Sequence, residues 1–504
     1  MLGLVRDQVL AALFGATSDM DAFIVAFRIP NLIRDLFAEG AMSAAFVPAF
    51  TRHLTSGGKP AAWRLGNNVL NLLLIMTTVL VLLGIVFARP IVTAYAAHYA
   101  AVPGKLELTI RLTRVMLPFL TLVAVAAVAM GMLNSLHHYF LPALSPAMFN
   151  VATILGAFLL VPVMAPVGLP RIMGVAIAAL VGGIGQIGLQ WPSLRREGYT
   201  YEAVCDPRDA GLRDVILMMG PGTIGLAATQ VNVFVNTLLA TAQGTGAVSW
   251  LTYAFRLMYL PIGLFGVSIG TAVLPAVSRH AAMADAAGIR NTTARGLAMM
   301  FTLNVPAAFG LMVLARPIVA LLFEHGAFSP NDTAETAGAL RYYAVGLVGY
   351  SAARIISPVF YALRQSRTAV LVSVATILLN VVLSVTLVRV LGFTGLALAT
   401  SIAALAHGAI LLVLLSRRLG GLEERRLAET LAKVVAAAVV MAVAVAAIDA
   451  GTSTLSPSGS FTMRAVRLTT SIAGGLIVLA TAARLLGIDA LDDALDAVRA
   501  RLSR

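Results

Sequence analysis

The sequence predicts an all-α, polytopic membrane protein of about 14 transmembrane helices, arranged as two parallel six-helix repeats plus a C-terminal helix pair. Three observations carry this. Of 504 residues, 59% are hydrophobic and only 12% charged, with a mean hydropathy of +0.90, whereas a water-facing surface needs about twice that charge density. Apolar runs long enough to cross a hydrocarbon core of about 30 Å recur from one end of the chain to the other, which indicates one helical membrane domain rather than an anchored soluble head. The chain also repeats itself. AFR at Ala26 to Arg28 recurs at Ala254 to Arg256, and FVPAFTRH from Phe46 recurs as LPAVSRH from Leu274. ARPIV at Ala88 returns at Ala315, VATIL at Val151 returns at Val374, and GVAIA at Gly174 returns as GLALA at Gly395. The order is kept throughout. Six crossings is an even number, so the second lobe enters from the same side as the first.

Taken in order, apolar runs bounded by turn residues place spans at 1–16, 20–50, 66–88, 106–133, 141–163, 170–194, 211–242, 246–278, 295–316, 334–363, 367–391, 393–416, 428–448 and 464–486. The first is short. It contains Arg6 and Asp7 and no small-residue cleavage pattern, so it reads as a helix and not as a removable signal. Residues 1–196 form the first lobe and 197–210 a hydrophilic linker, whose Cys205, Asp206 and Pro207 suit a hinge. Residues 211–420 form the second lobe, 421–488 the final helix pair, and 489–504 a cytoplasmic amphipathic tail.

A net charge of +13 and a pI near 10.4 are explained by where the basic residues fall. With the N-terminus inside, Arg52, Lys59, Arg64, Arg195, Arg196, Arg208, Arg213, Arg279, Arg290, Arg295, Arg364, Arg367, Arg417, Arg418, Arg425, Arg426 and Lys433 fall in cytoplasmic connections. The opposite side has only Arg89, Lys105, Arg171, Arg316, Arg389 and Arg464. This bias orients the helices with both termini cytoplasmic and removes the need for a nucleic-acid partner. A single cysteine, Cys205, excludes an internal disulfide or a thiolate metal cluster.

The stretch from Asp21 to Pro48 is apolar at helical spacing yet carries Asp21, Arg28, Arg34, Asp35 and Glu39. Each such charge at mid-membrane costs roughly 2.5–3.5 kcal/mol, so these side chains must face protein or water. Arg28 and Arg34 lie within about 120° of each other around a helix, with Asn31 midway, and form one polar wall. The second lobe matches this region with Arg256, with few acids nearby. Two readings stand: internal ion pairs with neighbouring acids, or a cationic cleft for an anion. Guanidinium suits a diphosphate because its planar fork binds oxygens bidentately and keeps its charge when desolvated. His137 and His138 read as a solvated turn, His407 as a satisfied core histidine, and Glu324 with His325 as a turn leading to a helix cap. No Walker A, GxSxG or HExxH sequence and no clustered metal-ligand set occurs, so an ATP-driven pump or a membrane hydrolase would lack its parts. The expectation is a transporter without a cofactor.

Several long motifs resemble one family. They are DAFIVAFRIPNLIRDLFAEGAMSAAFVP from Asp21, LNSLHHYFLPALSPAMFN from Leu133, MGPGTIGLAATQVNVFVNTLLA from Met219, YAFRLMYLPIGLFGVSIGTAVLP from Tyr253 and LLFEHGAFSPNDT from Leu321. They are similar to the MurJ (MviN) lipid II flippase family of the multidrug, oligosaccharidyl-lipid and polysaccharide exporter superfamily, over essentially the whole chain. The resemblance implies fourteen helices, with the final pair forming a groove for a lipid tail. It implies movement of undecaprenyl-diphosphate-linked peptidoglycan precursor from the inner to the outer leaflet of the bacterial cytoplasmic membrane by alternating access. Membrane lipids, and also cell-wall synthesis proteins, are the further partners it suggests. By the same resemblance the substrate-binding residues are Arg6, Arg34, Arg256 and Asp21, with Arg28 at a commonly basic position.

Two departures bear on the expectation. The family usually has an Arg before the Leu-Gly step of the first helix, where only Met1 precedes Leu2. The natural start is therefore expected upstream, and an in-frame stop immediately before the Met1 codon would reject that. Some members resemble sodium-coupled carriers, but the matching positions here are Asn236, Asn380, Ser384 and Thr400, without a carboxylate. A hard cation wants several oxygens and some negative charge. This argues against sodium coupling and leaves proton or potential coupling open. Two rivals are a multidrug or other polyprenyl-linked glycan exporter of the same superfamily, and a transport-dead scaffold for cell-wall enzymes. A drug exporter should offer acids and aromatics to a cation, whereas these lobes offer arginine in excess.

Overall fold

Where a segment is apolar at nearly every position and has no water to bond its backbone, the helix is the conformation that satisfies every N–H and C=O internally. The computed structural model describes residues 2–35, 41–455 and 460–488, and among these helices joined by short connections are the regular structure, with no strand. Glu39 and the tail from Asp489 lie outside the described residues. Among the described residues ten helices are long and apolar enough to cross a membrane, or eleven with one bent pair counted as a single span.

The chain forms two compact units, Met1–Ser249 with His325–Phe328, and Trp250–Glu324 with Ser329–Arg504. The first contains α1 (Leu2–Phe14), α2 (Ser18–Arg34), α3 (Ala41–Val86), α4 (Ala88–Tyr95), α5 (Lys105–Met116), α6 (Phe119–Ser135), α7 (Phe140–Leu144), α8 (Ala147–Leu159), α9 (Val161–Met164), α10 (Met173–Arg196) and α11 (Ala210–Thr241). The expected span 20–50 is thus divided between α2 and α3. Within α3 the helical path is interrupted at Gly58, whose φ of 70° suits a residue without a side chain. An aromatic run knits this unit: Phe46 lies 5.5 Å from Phe50, Phe50 5.6 Å from Trp63, and Trp63 5.2 Å from Tyr199.

The linker 197–209 is tied to α3. Asn67, Asn68 and Asn71 share one face of that helix and are all buried. Asn67 donates to the Thr200 carbonyl at 3.1 Å and accepts from the Tyr199 hydroxyl at 2.5 Å. Asn68 donates to the Asp206 carbonyl and accepts from its N–H. Asn71 donates to the carbonyls of Glu202 and Val204 and accepts from the Tyr201 hydroxyl. A backbone outside helix and sheet has its polar groups satisfied in this way by amide side chains.

The second unit takes up α12 (Ala247–Pro261) after its first turn, then a widened turn at Ile262–Gly266, α13 (Val267–Ala282), α14 (Ala286–Val313), α15 (Ala315–Phe323), α16 (Pro330–Val345), α17 (Leu347–Ala362), α18 (Ser366–Leu391), α19 (Phe393–Leu419), α20 (Glu424–Leu455) and α21 (Phe461–Leu485). Its core joins Ile269, Leu297, Met300, Ile355, Ile356, Leu411 and Val434, so α20 packs with α13, α14, α17 and α19. A further cluster of Leu314, Met441, Val445 and Leu468 seats α20 and α21. On α18, Leu371, Leu378, Val382 and Val390 are exposed, an apolar stripe suited to lipid. The two ARPIV segments open α4 and α15 after residues of nearly equal backbone geometry, Phe87 (φ −92°, ψ 17°) and Leu314 (φ −89°, ψ 13°). Ser329 caps α16 in a reciprocal box with Asp332, the turn-and-cap expected from the Ser-Pro-Asn-Asp run.

Candidate functional site

Neighbouring residues on a helix point about 100° apart, so adjacent Arg and Asp side chains do not ordinarily face each other. The first unit nevertheless holds two such pairs. On α1, Arg6 directs Nε (3.0 Å) and Nη2 (2.6 Å) to a single oxygen, Oδ1 of Asp7. Arg34, which ends α2, does the same to Oδ1 of Asp35, at 3.1 and 2.8 Å. In each case a third group holds the arrangement. The Arg6 guanidinium lies over the Phe149 ring of α8 at 5.2 Å, and Asp7 is buried. Oδ2 of Asp35 accepts from Gln230 Nε2 of α11 at 3.2 Å. Sequence reasoning did not pick out Gln230 because nothing in its own helix marks it.

Between these pairs the α2 wall is incompletely satisfied. Arg28 and Asn31 are half-buried, and Arg28 Nε and Asn31 Oδ1 are buried without a hydrogen-bond partner among the described residues. Leaving such groups unmet costs about 1–3 kcal/mol each. A donor beside an acceptor on one face suits a group rich in oxygen and hydroxyl.

Asp21 is placed differently. It is wholly buried, and each of its oxygens accepts two hydrogen bonds. Oδ2 takes Lys105 Nζ and the Gly246 N–H, both at 2.8 Å, and Oδ1 takes the Ser249 N–H at 3.1 Å and Oγ at 2.7 Å. Lys105, assigned from sequence to an outer connection, is itself buried, with Nζ 4.1 Å from the Tyr99 ring centre. The carboxylate thus ties α2 to α5 and to the opening turn of α12, where the helix dipole favours an anion. The structure brings Asp21 together with a lysine and a helix start, not with Arg6, Arg28 or Arg34.

In the second unit Arg256 is exposed on α12. Among the sodium-site positions, Asn380 and Ser384 are buried on α18, with Ser384 Oγ 3.4 Å from Asn380 Oδ1. Thr400 Oγ1 donates to the Leu396 carbonyl of its own helix at 2.8 Å. Asn236 lies on α11 of the first unit. These amides and hydroxyls supply no negative charge, and no group of three His, Cys, Asp or Glu able to hold a metal occurs among the described residues.

Comparison with known proteins bears on what such a chain does. The family model described as lipid II flippase MurJ matches residues 10–466. A lipid II flippase MurJ of Burkholderia cenocepacia is 34% identical over 421 residues, covering 82% of this chain and 81% of the relative. A probable lipid II flippase MurJ of Vibrio cholerae is 33% identical over 418 residues, covering 82% and 79%. The fold is similar to a solved lipid II flippase MurJ in an inward closed conformation, at a TM-score of 0.79 and 25% identity over 96% of this chain and 97% of that one. An inward-facing multidrug transporter of the MATE family matches at a TM-score of 0.70 and 16% identity, over 84% and 95%, a likeness of fold alone. The chain belongs to the lipid II flippase MurJ family.

Proposed function

We propose that this protein is a lipid II flippase. It carries the undecaprenyl-diphosphate-linked peptidoglycan precursor from the inner to the outer leaflet of the cytoplasmic membrane by alternating access. Family membership supports the reading. The structural observation that carries it is the α2 wall, where half-buried Arg28 and Asn31 stand beside the clamped guanidinium of Arg34. Charge capture of the diphosphate needs cations that stay ionised away from bulk water, which arginine alone among side chains guarantees. The sugar and peptide bring the hydroxyls and amides that an unmet donor and acceptor can use. The polyprenyl tail remains in lipid throughout.

On this reading the chain has fourteen crossings as two parallel six-helix repeats with a final pair, both termini are cytoplasmic, and α20 and α21 offer the tail its groove. Arg6, Arg28, Arg34 and Arg256 serve the headgroup, while Asp21 serves by holding α2, α5 and α12 in register. Coupling to sodium is not part of the proposal, since Asn236, Asn380, Ser384 and Thr400 lack a carboxylate. No step of chemistry is required, in keeping with a transporter. Arg34→Ala or Arg256→Ala should abolish rescue of a flippase-depleted bacterial cell while membrane levels stay normal. Undiminished growth would reject the headgroup role.

A further inference from the structure

Among the cations in the membrane-spanning segments, one in the second unit differs from the acid-paired arginines described above. Arg354 stands midway along α17, half of the bent span formed by Pro330–Val345 and Leu347–Ala362. A guanidinium there cannot face hydrocarbon and must meet protein or water. Arg6 and Arg34 each have a carboxylate, as do Arg464 (Glu324, 2.9 Å) and Arg467 (Asp449, 2.7 Å). Arg354 has none among the described residues. Its partner is neutral: Nη2 donates to the Tyr259 hydroxyl, and the guanidinium carbon lies 5.8 Å from that ring's centre. The side chain is exposed, and Nε and Nη1 make no hydrogen bond to the described residues. No carboxylate of the described residues therefore compensates the charge.

The mounting is rigid. Tyr259 is three residues beyond Arg256 on α12, so the two share a face of that helix. Phe255 packs against Tyr259, Tyr343 and Tyr350 at ring separations of 5.9, 5.5 and 6.5 Å. The α17 backbone sits close against the widened turn and the start of α13: a Cβ on Gly270 would come within 3.2 Å of the Arg354 carbonyl, and one on Gly266 within 3.2 Å of Ser351 Oγ. Widened turns of this kind are frequent at functional sites. A tyrosine that fixes one nitrogen without neutralising the charge leaves the guanidinium oriented and still attractive to an anion.

We infer that Arg354 is a further anion-binding residue of the second unit, positioned by Tyr259 on the Arg256 face of α12, and that its ligand is a phosphate of a lipid-linked diphosphate. The inference rests on the flippase reading and adds to it a residue outside the arginines identified from sequence. Tyr259 is a positioning residue.

The test is binding of undecaprenyl diphosphate by the full chain in lipid nanodiscs, measured at low and high salt with inorganic pyrophosphate as competitor. Arg354→Met should weaken binding by about tenfold or more and make it less salt-dependent. Arg354→Lys should lose several-fold, because an ammonium cannot bind two oxygens as a fork, and it decides the matter should the Met variant fail to assemble. Tyr259→Phe should weaken binding in wild type but add little to Arg354→Met, the coupling that distinguishes positioning from general support. Wild-type affinity and salt dependence in both Arg354 variants would overturn the inference while leaving the flippase reading intact. Failure of the wild-type protein to bind the diphosphate lipid would remove both. Binding that pyrophosphate does not displace would show that the tail and not the diphosphate is gripped, which also overturns the inference.

Discussion

Arg6–Asp7 and Arg34–Asp35 show how much a side chain's behaviour depends on a third party. Neither pair would form on an isolated helix, because adjacent residues diverge, yet Phe149 under one guanidinium and Gln230 behind one carboxylate align them. The arginines were legible in the sequence, since a charge in an apolar run of spanning length is conspicuous whatever the fold. Gln230, Lys105 and the Tyr259–Arg354 contact were not, because their meaning lies in a partner from another helix. A titratable contact outside the spans is open to test at this scale. Glu197, just past α10, accepts from His138 at 2.8 Å and from Lys59 at 2.9 Å, and these bonds hold its carboxyl below the ordinary value of 4.5. A group that binds its proton less readily when folded lends stability that is complete above the unfolded value and is lost as pH falls through the depressed one. Denaturation in detergent from about pH 6 to about pH 3 should therefore show a loss of stability below about pH 4.5 that Glu197→Gln lacks. Equal slopes for the two proteins would contradict the assignment.

Helices were read from hydropathy with good fidelity where a span is one unbroken apolar run. The expected 170–194, 211–242, 367–391 and 393–416 correspond to α10, α11, α18 and α19. The expected 106–133 matches one candidate span, Lys105–Ser135, interrupted locally at Leu117 and Pro118, whereas 334–363 bends by 44° at Gly346. Hydropathy averages over such breaks and cannot see them. The linker is the element whose structure was least visible. Composition suggests a hinge, but Asn67, Asn68 and Asn71 hold it along α3. Asn68→Ala and Asn71→Ala should each lower stability by about 1–3 kcal/mol, since linker backbone groups would be left unmet. Hydrogen exchange at 200–206 should rise in the same variants. Unchanged exchange there would show that the amides are not what holds the segment.

At the scale of the molecule, the sequence disclosed the all-helical membrane class, and the two ARPIV segments begin helices α4 and α15 with similar backbone geometry. The boundary between the compact units was not readable. It falls between Ser249 and Trp250, one helix beyond the linker, because α11 packs with α3 and its polar side chains serve α2. Asp21 of α2 accepts from Gly246 and Ser249, just before that point in the chain. On the proposed reading, mid-membrane arginines carry a diphosphate headgroup from one leaflet to the other. The most direct test of that reading is the leaflet-resolved accessibility of lipid II in vesicles holding the purified protein. Wild type should bring precursor from the sheltered to the exposed leaflet, and Arg34→Ala should leave it where it began. Equal exposure with and without the protein, or undiminished movement by the Arg34 variant, would contradict the account.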